Sequence, residues 1–233
     1  DNVGVDGAEL AALLIDSGGD VSFSGVDATV DVATLRTSDT TPIASLTFDA
    51  AVNVDGDVYV DTGTLALNDV LNAGGTVTVS NTDIADLNSK ITAVDTIYFD
   101  SVGAIHLGAD LEATAAAAAI TVDESVITLN ANVRLTTHDA PIALDEILDD
   151  GGAHTLTLDA GNDNITVDDN VGVSGGAVPG ELVIEKAGDV HFAGAEATVD
   201  VDKLTIGSVT AVENDVEFDA AVNVAGDVDI NTN

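Results

Sequence analysis

The stretch Phe48-Asp-Ala-Ala-Val-Asn-Val-Asp-Gly-Asp-Val58 returns near the other end of the chain as Phe218-Asp-Ala-Ala-Val-Asn-Val-Ala-Gly-Asp-Val228, with a single residue changed. The match extends upstream, where Leu13-Leu-Ile-Asp-Ser-Gly-Gly-Asp-Val-Ser-Phe23 aligns with Leu182-Val-Ile-Glu-Lys-Ala-Gly-Asp-Val-His-Phe192. Equivalent residues are 169 positions apart at Phe23 and 170 apart at Phe48. The chain therefore contains a second, partial copy of itself.

This internal copy defines the organisation of the chain. We interpret residues 1–168 as one long repeat and residues 169–233 as the first third of the next copy, continuous with the first. Natural chains rarely start and stop partway through a repeat. We therefore expect this sequence to be a window of a longer repetitive protein.

The composition is strongly acidic. Against 42 Asp and Glu residues stand only five Lys and Arg residues, and the formal net charge is −37. A basic patch for nucleic acid or for an anionic membrane surface is therefore not expected. No apolar run approaches the length of a membrane-spanning helix, so membrane insertion is not expected either. Asp outnumbers Glu by 33 to nine, which favours turns and hard-cation ligands.

Most of the chain alternates apolar and polar residues with a period of two, interrupted about every ten residues by Gly, Asp or Asn. This pattern predicts an all-β fold with many short strands, such as Asp20–Ser24 and Ala104–Leu107. Short helical turns are considered only at Ala8–Ile15, Asp83–Lys90 and Ala115–Ala119, and the last of these is interpreted as either a tight, thin-walled coil or a short capping helix.

Two architectures use many short alternating strands: a parallel β-solenoid built from tandem coils, and a string of tandem β-sandwich domains. Submotifs such as Gly-Asp-Val-x-Phe and Gly-Asp-Val-Tyr-Val recur about every 20 residues, which favours coils of a solenoid. Asn53, Asn130, Asn132 and Asn223 lie in or beside strands. Their amides either stack and hydrogen-bond between coils or simply face solvent.

Three segments resemble the strand repeats of filamentous-haemagglutinin-like adhesins, which are very large repetitive bacterial surface proteins. These segments are Ile127-Thr-Leu-Asn-Ala-Asn-Val133, His154-Thr-Leu-Thr-Leu-Asp-Ala-Gly161 and Ala187-Gly-Asp-Val-His-Phe-Ala-Gly194. The resemblance implies a right-handed β-helix that is exported to the cell surface or beyond. It also implies work as a stalk, an adhesin or a matrix fibre, although the receptor remains unknown.

One acidic segment resembles a unit of the Gly/Asp nonapeptide that binds calcium in secreted toxins and adhesins. It runs from Asp159 through Asp163 and is followed by Asp168 and Asp169. Glycine permits a sharp turn there, and closely spaced carboxylates suit a hard cation. The unit does not repeat in tandem, so a purely structural turn is the alternative interpretation. Asp55-Gly-Asp57 is a weaker calcium candidate, and so is Asp149-Asp-Gly-Gly152.

No catalytic residue is expected. Among the four histidines, His191 aligns with Ser22 in the first copy, and paired carboxylates are too frequent to single out a catalytic pair. The sequence therefore predicts a non-enzymatic, extracellular acidic rod that associates with itself laterally or end to end. The alternatives are a module that folds or bundles on Ca²⁺ and, more remotely, a β-helix enzyme acting on polysaccharide.

Overall fold

The computed structural model of the chain describes residues 2–4, 10–16, 18–25, 27–38, 43–172, 177–194 and 197–233. Every regular element in these residues is a β-strand, and every strand pair is parallel. The strands stack into about nine turns. This confirms the β-solenoid predicted from the sequence, since sandwich domains pair their strands antiparallel.

Each turn contributes one strand to each of three faces that surround a common core, except that in one turn the contact on face II is the isolated bridge at Val171. Face I contains β1 (Leu13–Ile15), β4 (Leu35–Thr37), the start of β7 (Val58–Leu67), β9 (Val77–Ser80), β12 (Ile97–Asp100), β15 (Ile120–Asp123), β18 (Ile142–Leu144), β21 (Ile165–Val167), β23 (Val190–Phe192) and β26 (Val216–Phe218). Face II contains β2 (Asp20–Phe23), β5 (Ile43–Phe48), the end of β7, β10 (Ile84–Leu87), β13 (Ala104–Leu107), β16 (Val126–Leu129), β19 (Glu146–Asp149), β24 (Thr198–Val201) and β27 (Ala221–Val224). Face III contains β3 (Thr29–Val32), β6 (Ala51–Val54), β8 (Leu71–Ala73), β11 (Ile91–Ala93), β14 (Leu111–Ala116), β17 (Val133–His138), β20 (Thr155–Asp159), β22 (Glu181–Lys186), β25 (Lys203–Ile206) and β28 (Val228–Ile230).

The core consists of apolar columns that run along the stack. On face I, for example, Val77, Ile97, Ile120, Ile142 and Ile165 lie above one another in register and are buried. Thin β-branched and aliphatic side chains fill this narrow interior, while the alternate residues of each strand point outward. The period-two pattern of the sequence is therefore the pattern of inward and outward side chains.

The corner between faces I and II uses the same backbone device in three consecutive turns. Asn81, Ser101 and Glu124 each follow a face I strand and adopt positive φ angles of 51°, 54° and 50°. The left-handed conformation turns the chain sharply into the next face. At the earlier turn of β7, Gly63 occupies the same corner, and a Cβ added there would lie 2.6 Å from the carbonyl oxygen of Ala44.

The helical turns expected from the sequence are wrong where the structure describes them. Within Asp83–Lys90, residues 84–87 form β10, and Ala115–Ala119 contains the end of β14 and a left-handed turn at Ala117. The segment Ala8–Ile15 begins outside the described residues, and its described end forms β1. Parallel pairing with the coils on both sides satisfies the backbone at β10, which outweighs local propensity.

Amide ladders form between coils at some of the asparagines singled out from the sequence. Asn53 donates to Asp31 Oδ1 over 2.7 Å, and it accepts from Asn72 Nδ2 over 3.0 Å. Asn132 Oδ1 accepts the backbone N–H of Thr155 in the next turn over 2.9 Å. Outward polar side chains thus add hydrogen bonds parallel to those of the backbone.

Candidate functional site

The stacking builds a column of aspartates at the I–II corner. Asp100 and Asp123 are paired in register, and the pairing of β15 with β18 and of β18 with β21 places Asp145 and Asp168 next in line. Successive coils lie about 4.8 Å apart, so the four carboxylates follow one another along the rod. We call these four residues the acidic column.

Asp145 is the residue of the acidic column that is most affected by its surroundings. Partial burial raises the pKa of the Asp145 carboxyl, and the negative charges of Asp169, Asp168 and Asp123 raise it further. A backbone hydrogen bond from Ser125 acts in the opposite direction but does not cancel the effect. Like charges in this arrangement favour protonation or a nearby cation.

Tyr98 lies beside the upper part of the acidic column. Its hydroxyl donates to Asp123 Oδ2 over 3.4 Å. Burial raises the pKa of Tyr98, and the charges of Asp100 and Asp123 raise it further because they oppose a phenolate. The column therefore acts as a continuous negative field on the groups around it.

A second charged cluster lies on face III, where Arg134 joins three consecutive coils. Its Nη2 lies 2.7 Å from Asp159 Oδ2 in the next turn and 2.6 Å from Glu185 Oε2 in the turn after that. Its Nε donates to Thr136 Oγ1 over 3.0 Å. The hydrogen bond to Glu185 raises the pKa of Arg134, so the guanidinium stays charged and holds the coils together.

The loop after β19 is organised around a fully buried carboxylate. Asp149 accepts the backbone N–H groups of Gly151, Ala153 and His154 over 2.7, 3.0 and 2.8 Å. His154 Nδ1 lies 3.1 Å from Asp149 Oδ2 and 3.4 Å from Asp150 Oδ1. Because several donors already surround the Asp149 oxygens, this carboxylate serves to close the loop.

The structure separates the four residues predicted as the main calcium ligands into different settings. Asp159 pairs with Arg134, while Asp163 lies half-buried in a turn, where its Oδ1 accepts the N–H of Asn164 over 2.8 Å. Asp168 ends the acidic column, and the Oδ1 of Asp169 accepts the N–H of Asn170 over 2.8 Å. Asp168 and Asp169 thus share the surroundings of Asp145, whereas Asp159 is neutralised by a guanidinium.

The weaker calcium candidate Asp55-Gly-Asp57 lies at the turn between β6 and β7. The Oδ1 of Asp57 accepts the N–H of Thr76 in the next coil over 2.9 Å. The carbonyl oxygen of Asp55 lies so close to Gly74 that an added Cβ would be 2.1 Å away. In this structure the turn is held by contacts between coils.

Within the described residues, two groups bring three potential metal-binding atoms close together. One consists of Asp149, Asp150 and His154, and the other of His191, Glu217 and Asp219. Asp149 and Asp150 of the first group belong to the weaker calcium candidate Asp149-Asp-Gly-Gly152, whereas neither group includes an aspartate of the other predicted calcium segments. In the second group His191 Nε2 lies 3.1 Å from Asp219 Oδ2 on the exposed surface of face I.

The spaces in and around the rod differ in character. An internal cavity of about 10 Å³ is lined only by apolar side chains, including Phe48, Leu67 and Val77. An open groove of about 330 Å³ runs over face I between Thr166, His191 and Glu217. The internal cavity is too small for a small-molecule ligand, and the groove is wide and acidic.

Sequence reasoning missed the pairing of the rare basic residues. Lys90 pairs with Glu112, and Lys203 pairs with Glu181, in each case one coil away along the chain. The usable signal is an acidic residue at one coil length, about 22 residues, from a basic one. In so acidic a chain, however, that signal is hard to separate from chance.

The described residues contain no helix, and hence none long and apolar enough to cross a membrane. Comparison with family models, with curated protein sequences and with solved structures finds no match to this chain.

Proposed function

We propose that this chain is a structural segment of an extracellular adhesin or filament, a stiff acidic rod for surface attachment or matrix formation. The observation that carries the proposal is the continuous register of face I, which pairs strand on strand from β1 to β26. Nine such steps span about 43 Å. Backbone hydrogen bonds along the whole rod resist both bending and stretching.

The acidic surface supports a role in spacing rods apart or in bridging them through cations. A charge of −37 on 233 residues makes bare rods repel one another, and this repulsion is screened within about 8 Å at physiological salt. The acidic column concentrates that charge along one corner. Divalent cations between neighbouring rods would convert the repulsion into cohesion.

The last turn shows how a further coil covers the apolar side chains of its neighbour. Val222, Val228 and Ile230 are 41%, 55% and 43% exposed in the last turn. Their equivalents in the first copy are at most 2% exposed because a further coil covers them, and these equivalents are Val52, Val58 and Val60. The same apolar edge would be covered by another coil of this kind.

Negative-stain electron microscopy at fixed ionic strength, before and after chelation of divalent cations, tests the proposal. Filaments or bundles that come apart into intact rods would assign cohesion to cations at the acidic surface. Bundles that persist in excess chelator would assign cohesion to contacts that need no cation. Particles without any rod shape, or turnover on a panel of acidic and neutral glycans, would overturn the proposal.

A second candidate function, a module that is stabilised by calcium, is favoured by the crowding of Asp145 with Asp123, Asp168 and Asp169. A bound cation would relieve the repulsion that raises the Asp145 pKa. The test is a melting series in calcium, magnesium and sodium at matched ionic strength. A melting temperature that rises steeply with calcium alone would support this candidate, whereas equal responses to all three would leave only general screening.

A further inference from the structure

Equivalent strands of the two copies lie on different faces of the rod. Phe23 and Phe48 stack on face II with ring centroids 5.1 Å apart, whereas their equivalents Phe192 and Phe218 stack on face I at 4.9 Å. The same shift holds elsewhere, because β3 lies on face III and its equivalent β24 lies on face II. The second copy is therefore rotated about the rod axis.

The rotation does not come from a difference in local folding. Gly4 and its equivalent Gly172 have φ angles of 75° and 74°. The N–H of Asp31 donates to Val3 over 2.7 Å, and the equivalent N–H of Asp200 donates to Val171 over 2.6 Å. The two copies repeat the same contacts between coils, so only their position around the axis differs.

The size of the rotation follows from the number of turns in one long repeat. From β1, the face I column passes through seven pairings to β21, and the chain then fills face II at Val171 and reaches face III at β22. The equivalent of β1 is β22, so one repeat spans seven full turns and two further faces. Each copy thus falls one face short of eight turns, which is about 120° in a rod with three faces.

We propose that successive copies of the repeat present the same lateral surface on each of the three faces in turn. The rod thereby contacts neighbouring rods of the same chain in three directions. The inference deepens the proposed function and rests on it for the identity of the partner. Successive copies would be displaced by about 37 Å along the axis, and a surface would return to its original face after three copies, or 23 turns, about 110 Å. Lateral contacts arranged in this way build bundles, whereas a repeat of whole turns would present one side only and build flat sheets.

Paired labels on a single rod test the rotation directly. The chain contains no cysteine, so Thr47→Cys with Glu217→Cys places labels on equivalent residues, while Thr47→Cys with Asn223→Cys is the matched control. The register from β5 through β27 aligns Asn223 with Thr47 on face II, eight turns away, and all three side chains point outward. The two pairs thus have almost the same axial separation and differ in angle alone.

In each double variant, both cysteines are biotinylated and each biotin is bound by one monovalent streptavidin. Electron micrographs then show the side of the rod from which each streptavidin projects. We expect the equivalent pair to project about 120° apart and the control pair to project from the same side. Equivalent labels on the same side would overturn the proposal, even if the rods form filaments. Flat single-layer sheets in images of assembled rods would overturn the three-directional contact, whereas rods that fail to associate at all would instead count against the proposed function.

Discussion

Phe192 stacks on Phe218 with ring centroids 4.9 Å apart and ring planes within 1° of parallel. The pair repeats the stack of Phe23 on Phe48, whose planes differ by 12°. The two stacks differ in what covers them, because β21 lies above Phe192 while Phe23 belongs to the first described turn of face II. Phe192 is accordingly 1% exposed, whereas Phe23 is only half-buried.

This difference predicts unequal effects of the same substitution at equivalent positions. Phe192→Ala removes a ring that is packed on both sides, and we expect it to lower the free energy of unfolding by about 3–5 kcal/mol. Phe23→Ala should lower it by less than half as much, since water already reaches that ring. Urea denaturation of both variants measures the effect, and equal losses would contradict the predicted packing.

The contacts of Arg134 predict that its replacement lowers stability more than the same replacement of Lys90. Arg134→Met keeps the apolar stem but leaves the carboxylates of Asp159 and Glu185, each less than a quarter exposed, without their partner. We expect a loss of about 1–2 kcal/mol, after allowing for screening of the partly exposed guanidinium. The control is Lys90→Met, because the Lys90 and Glu112 side chains are 44% and 38% exposed and such pairs contribute less than about 1 kcal/mol. Thermal unfolding of both variants measures the difference, and a larger loss at Lys90 would refute it.

Asp149 and Asp150 are adjacent in sequence, but we expect the same substitution to affect stability unequally at the two positions. Asp149→Asn replaces one acceptor oxygen with an NH₂ group, which faces the N–H donors of Gly151 and Ala153 if it takes the place of Oδ1 and the N–H donor of His154 if it takes the place of Oδ2. We expect a loss of about 1–3 kcal/mol in either case. Asp150 is exposed, so Asp150→Asn should change stability by less than about 0.5 kcal/mol. Hydrogen exchange of residues 151–154 gives a local readout. Unchanged protection in Asp149→Asn would show that the loop does not depend on this carboxylate.

The internal copy and the period-two pattern were sufficient to predict the solenoid and several strand bounds. The strand Ala104–Leu107 is predicted and observed with the same limits, and Asp20–Ser24 is one residue longer than β2. The face on which a strand lies could not be predicted. It depends on the summed length of all preceding coils, which on face I range from 19 residues between Val58 and Val77 to 26 between Val190 and Val216.

The charged clusters were less predictable than the fold because they depend on register between distant coils. Asp159 was singled out for its neighbours in sequence, yet its partner is Arg134, 25 residues earlier. The acidic column was not singled out as a unit, since its members are 22 or 23 residues apart and each looks like an isolated turn residue. Only stacking in register brings them together.

The acidic column predicts a stability effect whose sign depends on pH. Burial and neighbouring carboxylates raise the pKa of Asp145 in the folded chain above the value it has when unfolded. A group with a raised folded pKa binds its proton more tightly when folded, so its ionisation opposes folding as the pH rises. Asp145→Asn removes this opposition while keeping an acceptor for the backbone hydrogen bond from Ser125. We therefore expect the variant to be more stable than the natural chain at pH 7, by about 2 °C in melting temperature.

The advantage should vanish as the pH falls below the ordinary range of an aspartate carboxyl, because Asp145 is then protonated in both states. Melting curves of the two chains between pH 3 and pH 7 at constant ionic strength check the prediction. Asp163→Asn is the control, because Asp163 lies outside the acidic column and is not among the charges that raise the Asp145 pKa, so its replacement should leave the melting temperature nearly unchanged across this range. A stabilisation by Asp145→Asn that is the same at every pH would show that charge repulsion in the column is not its cause.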